Sequence, residues 1–251
     1  MDKGNLMDKA ELTPLTKAIE VKGLTKSFNN YMALRGVNLE VNHGESLVIL
    51  GPNGAGKTTL IKVLATIMKP TWGEIIIDGL YHHKHAEEIR RQIGVVTHET
   101  FLYNNLTAHE NLEFYSRMYD VPNPKERIQE VVSLVGMTPR LHERVSTLSR
   151  GMQQRLSIAR GLLHRPSIML LDEPETGLDQ QALAMLWKVV KGEGTENRTV
   201  VITTHNLERG LSLGDRVVIL SHGAVAYQQS RKSLDLNSLK QAYEESTRVK
   251  K

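Results

Sequence analysis

The sequence predicts an α/β fold with a mainly parallel sheet, and three observations carry that prediction. Apolar runs at Ile168-Met169-Leu170-Leu171, Val200-Val201-Ile202-Thr203 and Val217-Val218-Ile219-Leu220 are separated by helical patterns, as in a parallel sheet covered on both faces. Ser46-Leu47-Val48-Ile49-Leu50 reads as another buried strand, and it runs through a glycine-rich segment into a helical pattern from Thr59 to Leu64. Between Thr107 and Gly151 the texture turns helical, so a helical subdomain at about residues 99–160 is expected within the sheet core.

Taken in order, residues 1–17 are expected to form a flexible segment, 18–228 the main domain, and 229–251 a C-terminal helix with a basic tail. Ile19-Glu20-Val21 and Val37-Asn38-Leu39-Glu40-Val41 alternate apolar and polar residues, which places an antiparallel β-layer at the N-terminus. Gly73 to Gly79 gives a strand bounded by glycines, and Ile93-Gly94-Val95-Val96 a shorter one. Thr107-Ala108-His109-Glu110 has the form of a capping box opening a helix over Asn111 to Tyr119, and Asn123-Pro124 separates it from a second helix over Lys125 to Val135. A further helix is expected from Leu148 to Leu163, with Leu156 and Leu163 on its apolar stripe, and a closing one from Leu236 to Glu245.

With 251 residues and 40% apolar content the chain can bury one well-packed domain. The absence of cysteine excludes disulfides, thiolate metal sites and thiol catalysis. Basic residues number 32 against 28 acidic ones, and the small excess sits partly in Arg231-Lys232 and Arg248 to Lys251, read as solvated charge; no nucleic-acid partner is expected. Met1 to Lys17 lacks the apolar core of a signal or transit peptide, and no run of about 18 apolar residues occurs, so a cytoplasmic protein that meets a membrane through a partner is expected.

The chemistry starts at Gly51-Pro52-Asn53-Gly54-Ala55-Gly56-Lys57-Thr58-Thr59, which fits G-x-x-x-x-G-K-[ST]. Glycines let successive backbone N–H groups turn inward around an anion, Lys57 brings positive charge to the β- and γ-phosphates, and Thr58 offers a hydroxyl to Mg²⁺. Strand, loop and helix in that order make this a P-loop NTPase core. Ile168 to Leu171 then delivers Asp172 and Glu173 to a strand end, where open α/β sheets bind ligands. Asp172 suits a hold on Mg²⁺ and Glu173 the polarisation of an attacking water.

Leu148-Ser149-Arg150-Gly151-Met152-Gln153-Gln154-Arg155 resembles the signature of ATP-binding cassette (ABC) ATPases. Thr176-Gly177-Leu178-Asp179 is similar to the D-loop of that family, Thr203-Thr204-His205 to its switch histidine, and Phe28 in Thr25-Lys26-Ser27-Phe28 to the aromatic that stacks on adenine. The resemblance spans about Ile19 to Tyr227. It implies two ATP molecules between two subunits, each phosphate loop facing Ser149 and Gly151 of the other subunit, with Lys57, Glu173 and His205 catalytic and Asp179 at the nucleotide. It further implies a homodimer or paired ABC ATPase, an integral membrane permease subunit, and residence on the inner face of the cell membrane.

Where most relatives carry glutamine after the strand corresponding to Ile93 to Val96, this chain has His98, followed by Glu99. An imidazole nitrogen can accept a hydrogen bond or bind metal, so His98 is a candidate for the glutamine's place at Mg²⁺ and the attacking water. His98, Phe101-Leu102-Tyr103 and Leu106 to Tyr115 resemble the ATPase subunit of the heme exporter of cytochrome c maturation, while Arg150-Gly151-Met152 is equally at home in multidrug and polysaccharide exporters. A soluble, non-transport ABC ATPase is the remaining alternative. Phe101, Leu102 and Tyr103 fit two readings, a dock for the membrane subunit or buried core.

Overall fold

The computed structural model describes residues 17–175, 178, 180–191 and 198–248. Strands β1 (Lys17–Phe28) and β2 (Tyr31–Asn42) form a long hairpin closed by Asn29 and Asn30, with Asn29 in the left-handed region at φ 50° that asparagine tolerates. Register shifts between Val21 and Leu24 and between Leu24 and Lys26 interrupt the alternation, so two 12-residue strands read as short pieces in the sequence. β4 (Trp72–Ile77) pairs with β1, and β5 (Leu80–Tyr81) with β4, in a four-stranded antiparallel sheet. β1 already begins at Lys17, one residue earlier than expected; the rest of the expected flexible segment lies outside the described residues.

A second sheet has the order β10-β9-β3-β8-β7-β6, built from β3 (Ser46–Leu50), β6 (Ile93–Val96), β7 (Ile168–Asp172), β8 (Thr199–Thr204), β9 (Arg216–Ser221) and β10 (Ala224–Ser230). All pairs are parallel except β10 with β9. The period of two divides its side chains between two cores. Val48, Leu50, Met169, Leu171, Val217 and Ile219 face one, shared with most helices. Leu47, Ile49, Ile168, Leu170, Val218 and Leu220 face the other, shared with the antiparallel sheet and α1 (Lys57–Leu64).

Helices α2 (Ala86–Gln92), α3 (Ala108–Met118), α4 (Pro124–Leu134) and α5 (Arg150–Leu162) precede β7, while α6 (Gln180–Lys191), α7 (Leu207–Leu213) and α8 (Leu236–Thr247) follow it. The capping box is formed at α3: the Glu110 N–H donates to Thr107 Oγ1 at 3.1 Å and the Thr107 N–H to Glu110 Oε2 at 2.7 Å, an arrangement worth about 1 kcal/mol. α5 starts at Arg150 and not at Leu148, because Ser149 caps it by accepting the Met152 N–H at 3.3 Å while Leu148 is buried before the first turn. Among the described residues no helix is long and apolar enough to cross a membrane.

Past the C-terminal end of α5, His164 stacks on Tyr119 with ring centroids 4.1 Å apart, and its Nε2 bonds the Ile93 carbonyl at 3.0 Å. Burial pushes its pKa down to about 4. The unfolded chain binds this proton at about pH 6.5, the folded chain only near 4, so stability is lost as pH falls through that window, by up to ~3 kcal/mol. In urea titrations His164→Gln is expected to remove that part of the pH dependence; identical pH profiles for the two proteins would refute the assignment.

Candidate active site

At the C-terminal ends of β3 and β7 lies a cleft of about 440 Å³ lined by Tyr31, Ala33, the loop from Asn53 to Thr59, His98, Asp172 and Glu173. Its floor is the turn between β3 and α1, and close packing enforces small residues there. A Cβ on Gly51 would meet the Leu220 carbonyl oxygen at 2.3 Å. One on Gly56, whose φ is 104°, would meet that of Ala33 at 2.6 Å. The start of α1 lines the cleft, where the helix dipole favours an anion. Lys57, only 5% exposed, donates to the carbonyls of Gly51 at 2.8 Å and Pro52 at 3.2 Å, and its Nζ lies 3.3 Å from Glu173 Oε1.

Asp172 ends β7, fully buried, and accepts the Thr203 hydroxyl on Oδ1 at 2.6 Å. Its Oδ2 is turned toward His98, 3.9 Å from Nδ1. Thr58 shares the cleft. A hydroxyl and a carboxylate are hard oxygen donors of the kind Mg²⁺ takes, and the half-exposed His98 adds a nitrogen beside them. His98 Nε2 also lies 3.6 Å from Glu99, which pairs with Lys62 at 3.1 Å.

Glu173 sits at φ 45°, a conformation that costs a non-glycine residue about 1 kcal/mol or more. It is held there by its N–H, which donates to the Thr203 carbonyl at 3.1 Å and Thr203 Oγ1 at 3.2 Å. The turn aims the carboxylate across the cleft: one oxygen faces Lys57, and the other lies 3.5 Å from Nδ1 of His205, which follows β8. Lys57, Asp172, Glu173, His98 and His205 are thus brought together from four separate segments.

Phe28 lies outside the cleft lining, with Lys26 Nζ 5.0 Å from its ring centroid. Its hairpin partner Tyr31 does line the cleft and donates its hydroxyl to the Gly54 carbonyl at 3.4 Å. Tyr31 was not singled out in the sequence, although an aromatic three residues beyond Phe28 across an Asn-Asn turn was the available signal. Ser149 and Gly151 line a different cavity of about 520 Å³, together with Met152, Arg155, Leu178 and Ala182, which shares no lining residue with the cleft. Thr176, Gly177 and Asp179 lie outside the described residues.

The Phe101 to Tyr103 segment divides between its two expected roles. Leu102 packs against the core, while Phe101 and Tyr103 remain 37% and 50% exposed. With Phe114 and Met118, also exposed, they border a groove of about 310 Å³ between α3, α5 and β6. Buried Arg160 forms part of this groove and donates to the Val95 carbonyl at 2.8 Å, its guanidinium 5.5 Å from the Phe101 ring centroid and 5.2 Å from that of Tyr115.

Comparison with known proteins places this geometry in a family. Residues 34–176 match the family model described as ABC transporter. The chain is 34% identical over 207 residues to the linearmycin resistance ATP-binding protein LnrL of Bacillus subtilis (strain 168), covering 82% of this chain and 67% of that protein. It is 37% identical over 213 residues to the spermidine/putrescine import ATP-binding protein PotA of Legionella pneumophila (strain Lens), covering 84% of this chain and 58% of that one. Among solved structures, the dimeric post-hydrolysis state of an ATP-binding cassette bound to ADP and phosphate superimposes with a TM-score of 0.80 at 29% identity, covering 86% of this chain and all of the other.

Proposed function

The chain belongs to the ABC transporter family, and from that premise we propose that it is the ATP-hydrolysing subunit of an exporter, working through a separate membrane subunit. It is an ATPase coupled to transport. The observation that carries the reading of the site is the convergence of Lys57, Asp172 and Glu173 on one cleft, with His205 beside Glu173.

In this reading the loop N–H groups and Lys57 hold the β- and γ-phosphates, and Tyr31 or Phe28 meets the adenine. Glu173 orients the attacking water and takes its proton, and His205 donates toward the γ-phosphate oxygens. Mg²⁺, held by Thr58 and Asp172 with His98 alongside, would supply compensation for the negative charge that builds on the phosphates. Ser149 and Gly151 serve the nucleotide of a second subunit, since they lie on a separate cavity.

The exposed aromatics of the groove make it the seat of the membrane subunit, which would hold the protein on the inner face of the membrane. For cargo, a relative named for linearmycin resistance supports a drug-like molecule, and His98 with Phe101 to Tyr103 supports heme as the second reading. A deletion strain separates them: sensitivity to amphipathic drugs with normal c-type cytochromes supports the first, and loss of those cytochromes the second. Complementation by Phe101→Ser/Tyr103→Ser should fail, with membrane recruitment down about tenfold or more and ATP affinity unchanged; equal loss of both would indicate core damage and sink the docking role.

A further inference from the structure

Glu175 is a carboxylate less than a tenth exposed, two residues beyond Glu173, and the reaction described above does not use it. Its Oε1 accepts the hydroxyl of Thr204, and its Oε2 has no hydrogen-bond partner among the described residues. A buried carboxylate with one unmet oxygen is costly to keep, so its placement calls for a reason beyond packing.

The neighbourhood supplies one. Thr204 is the last residue of β8, immediately before His205, and its Oγ1 also accepts the Asn206 N–H at 3.1 Å. Asn206 in turn caps α7, accepting the Arg209 N–H at 3.0 Å. His205 is therefore strung between two anchored residues, and its own side chain is largely solvent-exposed, 3.5 Å from Glu173. On the opposite side, Thr203 ties Asp172 and the Glu173 N–H to β8. The end of β7 and the end of β8 are laced together twice, once at Asp172 and Glu173 and once at Glu175.

We infer that Glu175 is a positioning residue for hydrolysis: by fixing the Thr204 hydroxyl it sets the backbone of residues 204–206 and so aims His205 at Glu173 and the terminal phosphate. The inference rests on the reading of His205 as a group acting at that phosphate. A side chain acting this way changes the rate of the chemical step and leaves the affinity for ATP alone, because the phosphate loop is untouched.

The test is steady-state and single-turnover ATP hydrolysis by the full chain. Glu175→Ala should lower kcat by about tenfold to a hundredfold with KM for ATP unchanged, as expected for a displaced catalytic group. Glu175→Gln, which keeps the acceptor for Thr204, should stay within about threefold of wild type, and Thr204→Val should reproduce the loss while Thr204→Ser reverses it. In a His205→Ala background, Glu175→Ala should cost nothing further. Wild-type kcat in Glu175→Ala, equal loss in the Ala and Gln variants, or additive losses with His205→Ala would each overturn the inference. If Glu175→Ala does not fold, the Thr204 pair carries the same test. A His205→Ala variant at full speed removes the reading of His205 and the inference together, whereas a slow His205→Ala beside a normal Glu175→Ala removes the inference alone.

Discussion

Glu173→Gln is expected to bind ATP, to remain dimeric with ATP bound, and to lose turnover by about a hundredfold to ten-thousandfold, the range lost with a general base. The substitution keeps size and shape, so the left-handed turn at φ 45° and the two bonds from its N–H to Thr203 are retained. What goes is a proton acceptor, together with a negative charge 3.3 Å from Lys57 and 3.5 Å from His205. Removing that charge also relieves repulsion toward the phosphates, so the ATP-bound dimer should outlast that of the wild type. Gel filtration with ATP, alongside phosphate release, reads both effects. Normal turnover would remove Glu173 from its role.

That prediction was legible in the sequence because the residues behind it act through the backbone at a fixed spacing. A strand of five buried residues, a loop whose Gly51 and Gly56 have no room for a Cβ, and a helix opening at Lys57 are local facts, and the pattern of residue types records them. The parallel sheet was legible for the same reason, since strands buried on both faces carry a continuous apolar run, as the central residues of β3, β7, β8 and β9 do. β10 escaped because an edge strand with one solvated face shows only weak alternation, and α2 because its seven residues bury Ile89 alone.

Contacts between distant segments were the other blind spot. Tyr31 reaches the cleft only because the hairpin folds it over Gly54, and Glu175 meets Thr204 only because β7 and β8 are neighbours, 29 residues apart in sequence. Phe101 and Tyr103 face solvent while Leu102 between them faces the core, a division that composition alone could not make.

Two variants that are each inactive should restore activity when mixed, if the site is shared between subunits. Lys57→Ala removes the cation of the phosphate loop and Ser149→Arg blocks the signature, which lies on a cavity with no residue in common with the cleft. Each homodimer carries two damaged sites, and either is expected to fall to about a hundredth of wild-type turnover or below, the loss typical of a missing transition-state donor. A mixed dimer differs: one of its sites combines both lesions, and the other joins an intact Lys57 to an intact Ser149. Random pairing makes half the dimers mixed, so an equimolar mixture should recover about a quarter of wild-type activity where the two sites turn over independently. Recovery must also rise with protein concentration, since it depends on subunit exchange. A mixture no more active than its components, measured after exchange has been verified with tagged subunits, would place the whole reaction within one chain and end the shared-site reading.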